Sequence, residues 1–167
     1  ETFVNNASTQ RNENDEWENG DWVRRQCIQK HMFNNIYDQK TSIHWKLFLF
    51  LHNLVPTDGG QGADNKGLWS YYKLIFDSCF TSYKEFIFNI TVNPAMLIYL
   101  NLASSNKDTP DENYAREVQE LFTVGKRPFS MFTEEDVSEA ARLLVGYSVR
   151  WESVHEDRDI TYNVNRW

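Results

Sequence analysis

Residues 42–55, SIHWKLFLFLHNLV, are apolar around nearly the whole circumference of the helix their period implies. A helix without a polar face has to be covered from several sides, so other helices are expected to pack around this one. Pro56 and the run TDGGQG that follows close it, because proline lacks the amide a continuing helix needs and glycine favours a loop. Such a segment excludes a chain built mainly of exposed hairpins, and it sets the expectation for everything on either side.

Helical patterns do flank it. From Trp22 to about Tyr37, Val23, Cys27, Ile28, Met32, Phe33 and Ile36 recur at the spacing of one buried helix face. Residues 68–80 and 83–92 repeat the pattern, broken by Thr81 and Ser82. Asn93 followed by Pro94 is a pre-organised helix start for PAMLIYLNLA. Thr109, Pro110 and Glu112 read as a capping box that opens the next helix, which Gly125 ends in a left-handed turn. Thr133, with Glu134, Glu135 and Asp136 in the first turn, starts a last helix that stops at Gly146. Beyond it the period changes to two: YSVRW and ITYNVNRW alternate around ESVHEDRD and predict a short hairpin. The expected fold is mainly α, a multi-helix bundle-like domain with a small C-terminal β-hairpin. Residues 1–20 form a polar loop or arm, 21–146 the helical domain, and 147–167 the hairpin and the start of a further C-terminal part.

A chain of 167 residues with 15% aromatics can bury a core without metal or disulfide staples. The net charge of −7 is spread along the chain and no Lys and Arg cluster forms a phosphate-tracking stripe, which argues against nucleic acid as a partner. The longest apolar run, LFLFL at 47–51, falls far short of the roughly 20 residues a membrane-spanning helix needs. Cys27 and Cys79 match no metal-ligand spacing and read as core thiols, leaving the compartment open. The glycine-rich loop after Pro56 lacks the Lys-Ser or Lys-Thr of a phosphate loop and reads as a linker. Asn6 and Asn89 head acceptor-type triplets for glycosylation that read as chance matches, Asn89 because it falls inside a helix. A start at Glu1, without methionine, reads as that of an internal fragment or processed product.

The stretch TPDENYAREVQELFTVGK, 109–126, is the densest in polar chemistry. At 100° per residue Asn113, Arg116, Glu117 and Glu120 share a stripe about 100° wide, with Tyr114, Val118, Leu121 and Phe122 on another. Three readings stand open. In the catalytic one Arg116 presents its donor fork to an anion and Glu117 acts as base, with Glu112, Asn113 and His52 as further candidates. In the second, Glu112, Arg116 and Glu120 form ordinary i to i+4 pairs on a helix face. In the third the stripe is a buried network that joins helices without doing chemistry. His52 shares its face with Trp45, Phe48 and Leu49 and reads as a core histidine with a hydrogen-bond partner. With His31, His44 and His155 it makes no zinc-type spacing, so no metal and no cofactor are expected.

The run NPAMLIYLNLASSNKDTPDENYAREVQELFTVG followed by FTEEDVSEAARLLVGY resembles a bacterial family known as domain of unknown function 1800, and LFLHNLV and LWSYYKLIFDSCFTSYKEFI extend the likeness upstream over about Trp22 to Tyr147. The resemblance implies a piece of a longer, exported bacterial protein, truncated at both ends. Its partners would be the remainder of the same polypeptide and other exported proteins. Where the family pattern carries histidine, this chain has Leu54, Asn93 and Phe122; Asn101 stands for an aspartate and Asp111 for an asparagine. Leucine and phenylalanine neither ligate nor titrate, so a family activity that relied on those imidazoles would be weakened here. The implied function is a structural or binding module. The alternative is an enzyme of unknown reaction, such as a hydrolase, using Glu117 as base and Arg116 as anion binder.

Overall fold

The computed structural model describes residues 20–38, 42–58, 65–126, 128, 130–149 and 160–162. The polar arm, the glycine-rich linker core, the acceptor triplet at Asn6, His155 and the hairpin's connecting segment lie outside them. Among the described residues seven α-helices follow one another: α1 (Gly20–Asp38), α2 (His44–Leu54), α3 (Asn65–Ser78), α4 (Tyr83–Thr91), α5 (Pro94–Tyr99), α6 (Asn113–Glu117) and α7 (Glu134–Leu143). A 3-10 turn, Leu102–Ser104, follows α5, and α6 runs straight into a π-helical segment, Val118–Thr123. Strands β1 (Tyr147–Val149) and β2 (Ile160–Tyr162) pair antiparallel with Ser148 opposite Thr161. The protein is mainly α with a small C-terminal strand pair, as its periodicities predict.

The core is organised around α5 rather than α2. Pro94, Ala95, Met96 and Leu97 are all buried, because α3, α4, the 3-10 turn and β1 all pack against this six-residue helix. Tyr71 and Ile75 of α3, Phe86 and Ile90 of α4, Tyr114 and Phe122 fill the space around it. Burying each such side chain contributes roughly 1.5–3 kcal/mol. By contrast α2 buries Phe48 and Leu51 and leaves Phe50 61% exposed, so the all-round apolar pattern of 42–55 does not make that helix central. Neither is Phe33 of α1 part of its buried face; it is 70% exposed, while Ile28 and Met32 turn inward.

Local signals hold the elements in place. Asn93 caps α5, its Oδ1 accepting the Ala95 amide at 3.0 Å while its Nδ2 reaches Ser70 Oγ at 3.4 Å. Thr133 and Asp136 form the reciprocal capping box at α7. The Tyr71 hydroxyl donates to the Val55 carbonyl, tying α3 to the end of α2, and burial raises its pKa well above the usual phenol range. Gly125 and Gly146 take φ of 90° and 99°, the left-handed conformation that ends a helix at little cost only for glycine. Cys27 and Cys79 are both free thiols and half-buried. Burial, with Asp77 nearby, pushes the Cys79 thiol up.

Candidate functional site

The stretch 109–126 begins differently from its sequence signature. Thr109 does not cap α6 and Glu112 does not close a box with it; Glu112 itself sits in helical geometry just before Asn113, with no side-chain cap. Asn106 has already engaged Thr109: its Oδ1 accepts the amides of Asp108 and Thr109 at 3.0 and 3.1 Å, and its Nδ2 donates to Thr109 Oγ1 at 2.9 Å. Such an asparagine turn competes directly with helix initiation. The capping task passes to Asp111, whose Oδ1 accepts the Asn113 amide at 2.8 Å, while its own amide is held by the buried Ser105 Oγ at 3.0 Å.

Below this start the stretch is anchored from the core. Tyr114 is 1% exposed, and its hydroxyl meets Thr91 Oγ1 of α4 at 2.7 Å. Burial pushes its pKa up to about 12. Ala115 packs on Val137 and Ala141 of α7, where small side chains let the two helices approach. At Val118 the winding widens. Hydrogen bonds closing at five residues instead of four advance each residue by less than 100°, so Phe122 moves onto the buried face and Leu121 falls off it, 53% exposed. The strict α period put both on one stripe with Tyr114 and Val118. Gln119 Nε2 donates to the Ala115 carbonyl at 3.1 Å at the junction, and Tyr83 of α4 donates to the Phe122 carbonyl.

Arg116 lies on the rim above Ala115, its side chain 33% exposed. Nη1 and Nη2 donate to Glu134 Oε1 and Oε2 at 3.1 and 2.8 Å, a fork-to-fork pair across to the first residue of α7. Glu112 accepts from Nη2 at 3.1 Å, and Glu120 lies 3.8 Å from Nη1 and 3.0 Å from Lys126 Nζ. The bond from Glu134, then that from Glu112, holds the guanidinium further above its ordinary pKa. Of the candidates, Glu112 and Arg116 are therefore brought together, and Glu134 joins them. Its place was marked in the sequence only as a helix-start carboxylate. Glu117 is half-buried and has no ion-pair partner among the described residues; Asn113 is exposed and contributes its amide to Asp111.

His52 stands apart, in an aromatic group with Phe48, Tyr71 and Tyr72 at centroid distances of 6.0, 6.0 and 5.5 Å. It is half-buried, and burial holds its imidazole below the usual histidine range. The expected hydrogen-bond partner is not there: among the described residues its ring nitrogens have none. Its ring lines a cavity of about 180 Å³ between α1, α2 and α3, with Met32, Phe48, Leu49, Gln29 and Tyr72. No group of three His, Cys, Asp or Glu suited to a metal ion occurs among the described residues, nor does any described helix have the length and apolarity to cross a membrane.

The fold and its rim cluster define a helical protein whose most polar motif reaches from α6 to α7 through Arg116 and Glu134. The family described as "Protein of unknown function (DUF1800)" matches residues 2–166, and the chain belongs to that family. No curated protein matches it. No solved structure does so either.

Proposed function

We propose that this chain is a structural module of a larger protein and that its Asn-Tyr-Ala-Arg-Glu motif serves to dock α7 onto α6. The observation that carries this reading is the bidentate Arg116–Glu134 pair, which joins residues 18 apart across the Ala115, Val137 and Ala141 contact. The third sequence reading, a network joining helices, fits best, with the difference that the network sits on the rim rather than in the interior. Anion capture by Arg116 is opposed by its surroundings. Three carboxylates face Arg116 and Lys126, leaving the cluster net negative, and an incoming anion would have to displace Glu134. The positions where the resembled pattern has histidines also serve the fold: Phe122 is in the core, Leu54 packs against it and Asn93 caps α5.

Urea unfolding of Arg116→Met, Glu134→Gln and Glu117→Gln at low and at ~1 M salt tests the reading, since a rim clamp is screened once the Debye length falls to about 3 Å. Arg116→Met and Glu134→Gln are expected to lower the midpoint at low salt and to converge on wild type at high salt, with Glu117→Gln unchanged throughout. A wild-type-like or higher midpoint for Arg116→Met at low salt would mean that the cluster does not hold the helices.

A further inference from the structure

We propose that the cavity between α1, α2 and α3 binds a small uncharged aromatic molecule bearing one hydroxyl or amide group, with its ring among Phe48, His52 and Tyr72 and its polar atom on His52. The site is separate from the Arg116 cluster and does not depend on the role given to it.

Size comes first. The recess, open on one side past Phe33 and Leu49, has about 180 Å³ of space, close to the ~150 Å³ apolar cavity that takes up benzene, so a single substituted ring fits. The walls select for an aromatic. Phe48, His52 and Tyr72 are mutually 5.5–6.1 Å apart and tilted by 33–65°, the spacing of edge-to-face and offset ring packing, which a fourth ring can join. Met32 adds a thioether, which makes favourable contacts with ring edges.

The polar groups select for a neutral ligand with one hydrogen-bonding head. Among the described residues no Lys, Arg, Asp or Glu lines the cavity. Neither His52 nor Tyr72 has a hydrogen-bond partner among the described residues, and their polar atoms are not sealed from water, so both are free to meet a ligand. Burial keeps the imidazole neutral and the Tyr72 phenol protonated at neutral pH, the latter against a smaller opposing influence from Arg25. Together they offer a bare nitrogen, an N–H and an O–H, which suit a hydroxyl or an amide; a carboxylate would meet two neutral donors and no cation to offset its desolvation. Gln29 at the mouth supplies an adaptable third contact.

The test follows the His52 ring resonances of the whole chain by NMR during titration with p-cresol, toluene and benzoate. Saturable shifts are expected with p-cresol, half-complete on the order of 1 mM, the range that eight non-hydrogen atoms support. Benzoate should produce none. His52→Phe, followed through the Met32 methyl, should weaken p-cresol by about five-fold, the worth of one hydrogen bond, and leave toluene unchanged. Leu49→Trp should fill the space and abolish both. Absence of saturation with p-cresol would overturn the proposal, as would p-cresol and toluene being weakened equally in His52→Phe, or full binding by a folded Leu49→Trp. Should Leu49→Trp fail to fold, the His52→Phe comparison decides alone.

Discussion

The contact between Tyr114 and Thr91 fixes how α6 sits on the core, and its hydrogen bookkeeping can be worked out. Thr91 Oγ1 has one proton, and it donates this to the Ile87 carbonyl at 2.8 Å. The 2.7 Å contact with the Tyr114 hydroxyl must then have tyrosine as donor and threonine as acceptor. Tyr114→Phe removes the donor and leaves Thr91 still bonded to Ile87, a loss of about 1 kcal/mol. Thr91→Val strands the Tyr114 hydroxyl in the core and should cost more, about 1–3 kcal/mol. In the double variant no hydroxyl is stranded, so its loss should fall short of the sum by about 1 kcal/mol. Urea denaturation of the four proteins with a common slope measures all three quantities. Additive losses, or a Tyr114→Phe variant less stable than Thr91→Val, would refute the donor assignment. The same hydroxyl gives an alkaline signature. The unfolded phenol ionises near 10.0 and the folded one at about 12, so its contribution is intact below pH 10 and is lost as pH rises through that window. Wild type should lose on the order of 2 kcal/mol more than Tyr114→Phe between pH 10 and 12.

Gly125→Ala isolates the cost of a left-handed residue, because a Cβ there meets nothing within 4 Å; a loss of about 1–2 kcal/mol in thermal or urea unfolding is expected, and none would mean the turn relaxes. His52 gives the acid counterpart: its folded pKa is depressed, so the unfolded chain binds a proton first and stability falls as pH drops below 6.5 toward the folded value. Wild type should show a steeper loss than His52→Phe across that interval in pH-dependent unfolding, and parallel profiles would show that the imidazole is not desolvated.

Much of the fold was legible because helix limits are written in local chemistry. Asn93 with Pro94, Thr133 with Asp136, Gly125 and Gly146 each act within a few residues, and each behaves as its residue type dictates. Tertiary competition hid the rest. Thr109 carried a valid cap signature, yet Asn106, three residues earlier, claimed it first. An apolar circumference at 42–55 reported composition rather than position, since Phe50 is exposed and the shorter α5, with fewer large side chains, is the one enclosed. Leu121 was misplaced because a period of 3.6 residues cannot foresee a π-helical segment. At the candidate site the i to i+4 partners of Arg116 were readable. Glu134 was not, because nothing local to position 134 specifies that α7 will start beside α6.

The density of the 109–126 motif has a physical origin that requires no catalysis. An isolated helix shorter than about 12–15 residues is marginal in water, and α6 has five residues before its winding changes. It persists only if nearly every residue holds something. Asp111 secures the first amide, Tyr114 reaches down to α4, Ala115 admits α7, Arg116 grips Glu134 over that contact, and Gln119 covers a carbonyl where the winding widens. Gly125 then lets the chain leave, its amide closing on the Gln119 carbonyl at 3.0 Å. A short element fixed in several directions at once needs a different side chain at each successive position. The resulting string of carboxylate, aromatic, small residue and arginine has the look of an active site, and the proposed reading gives it the task of a joint.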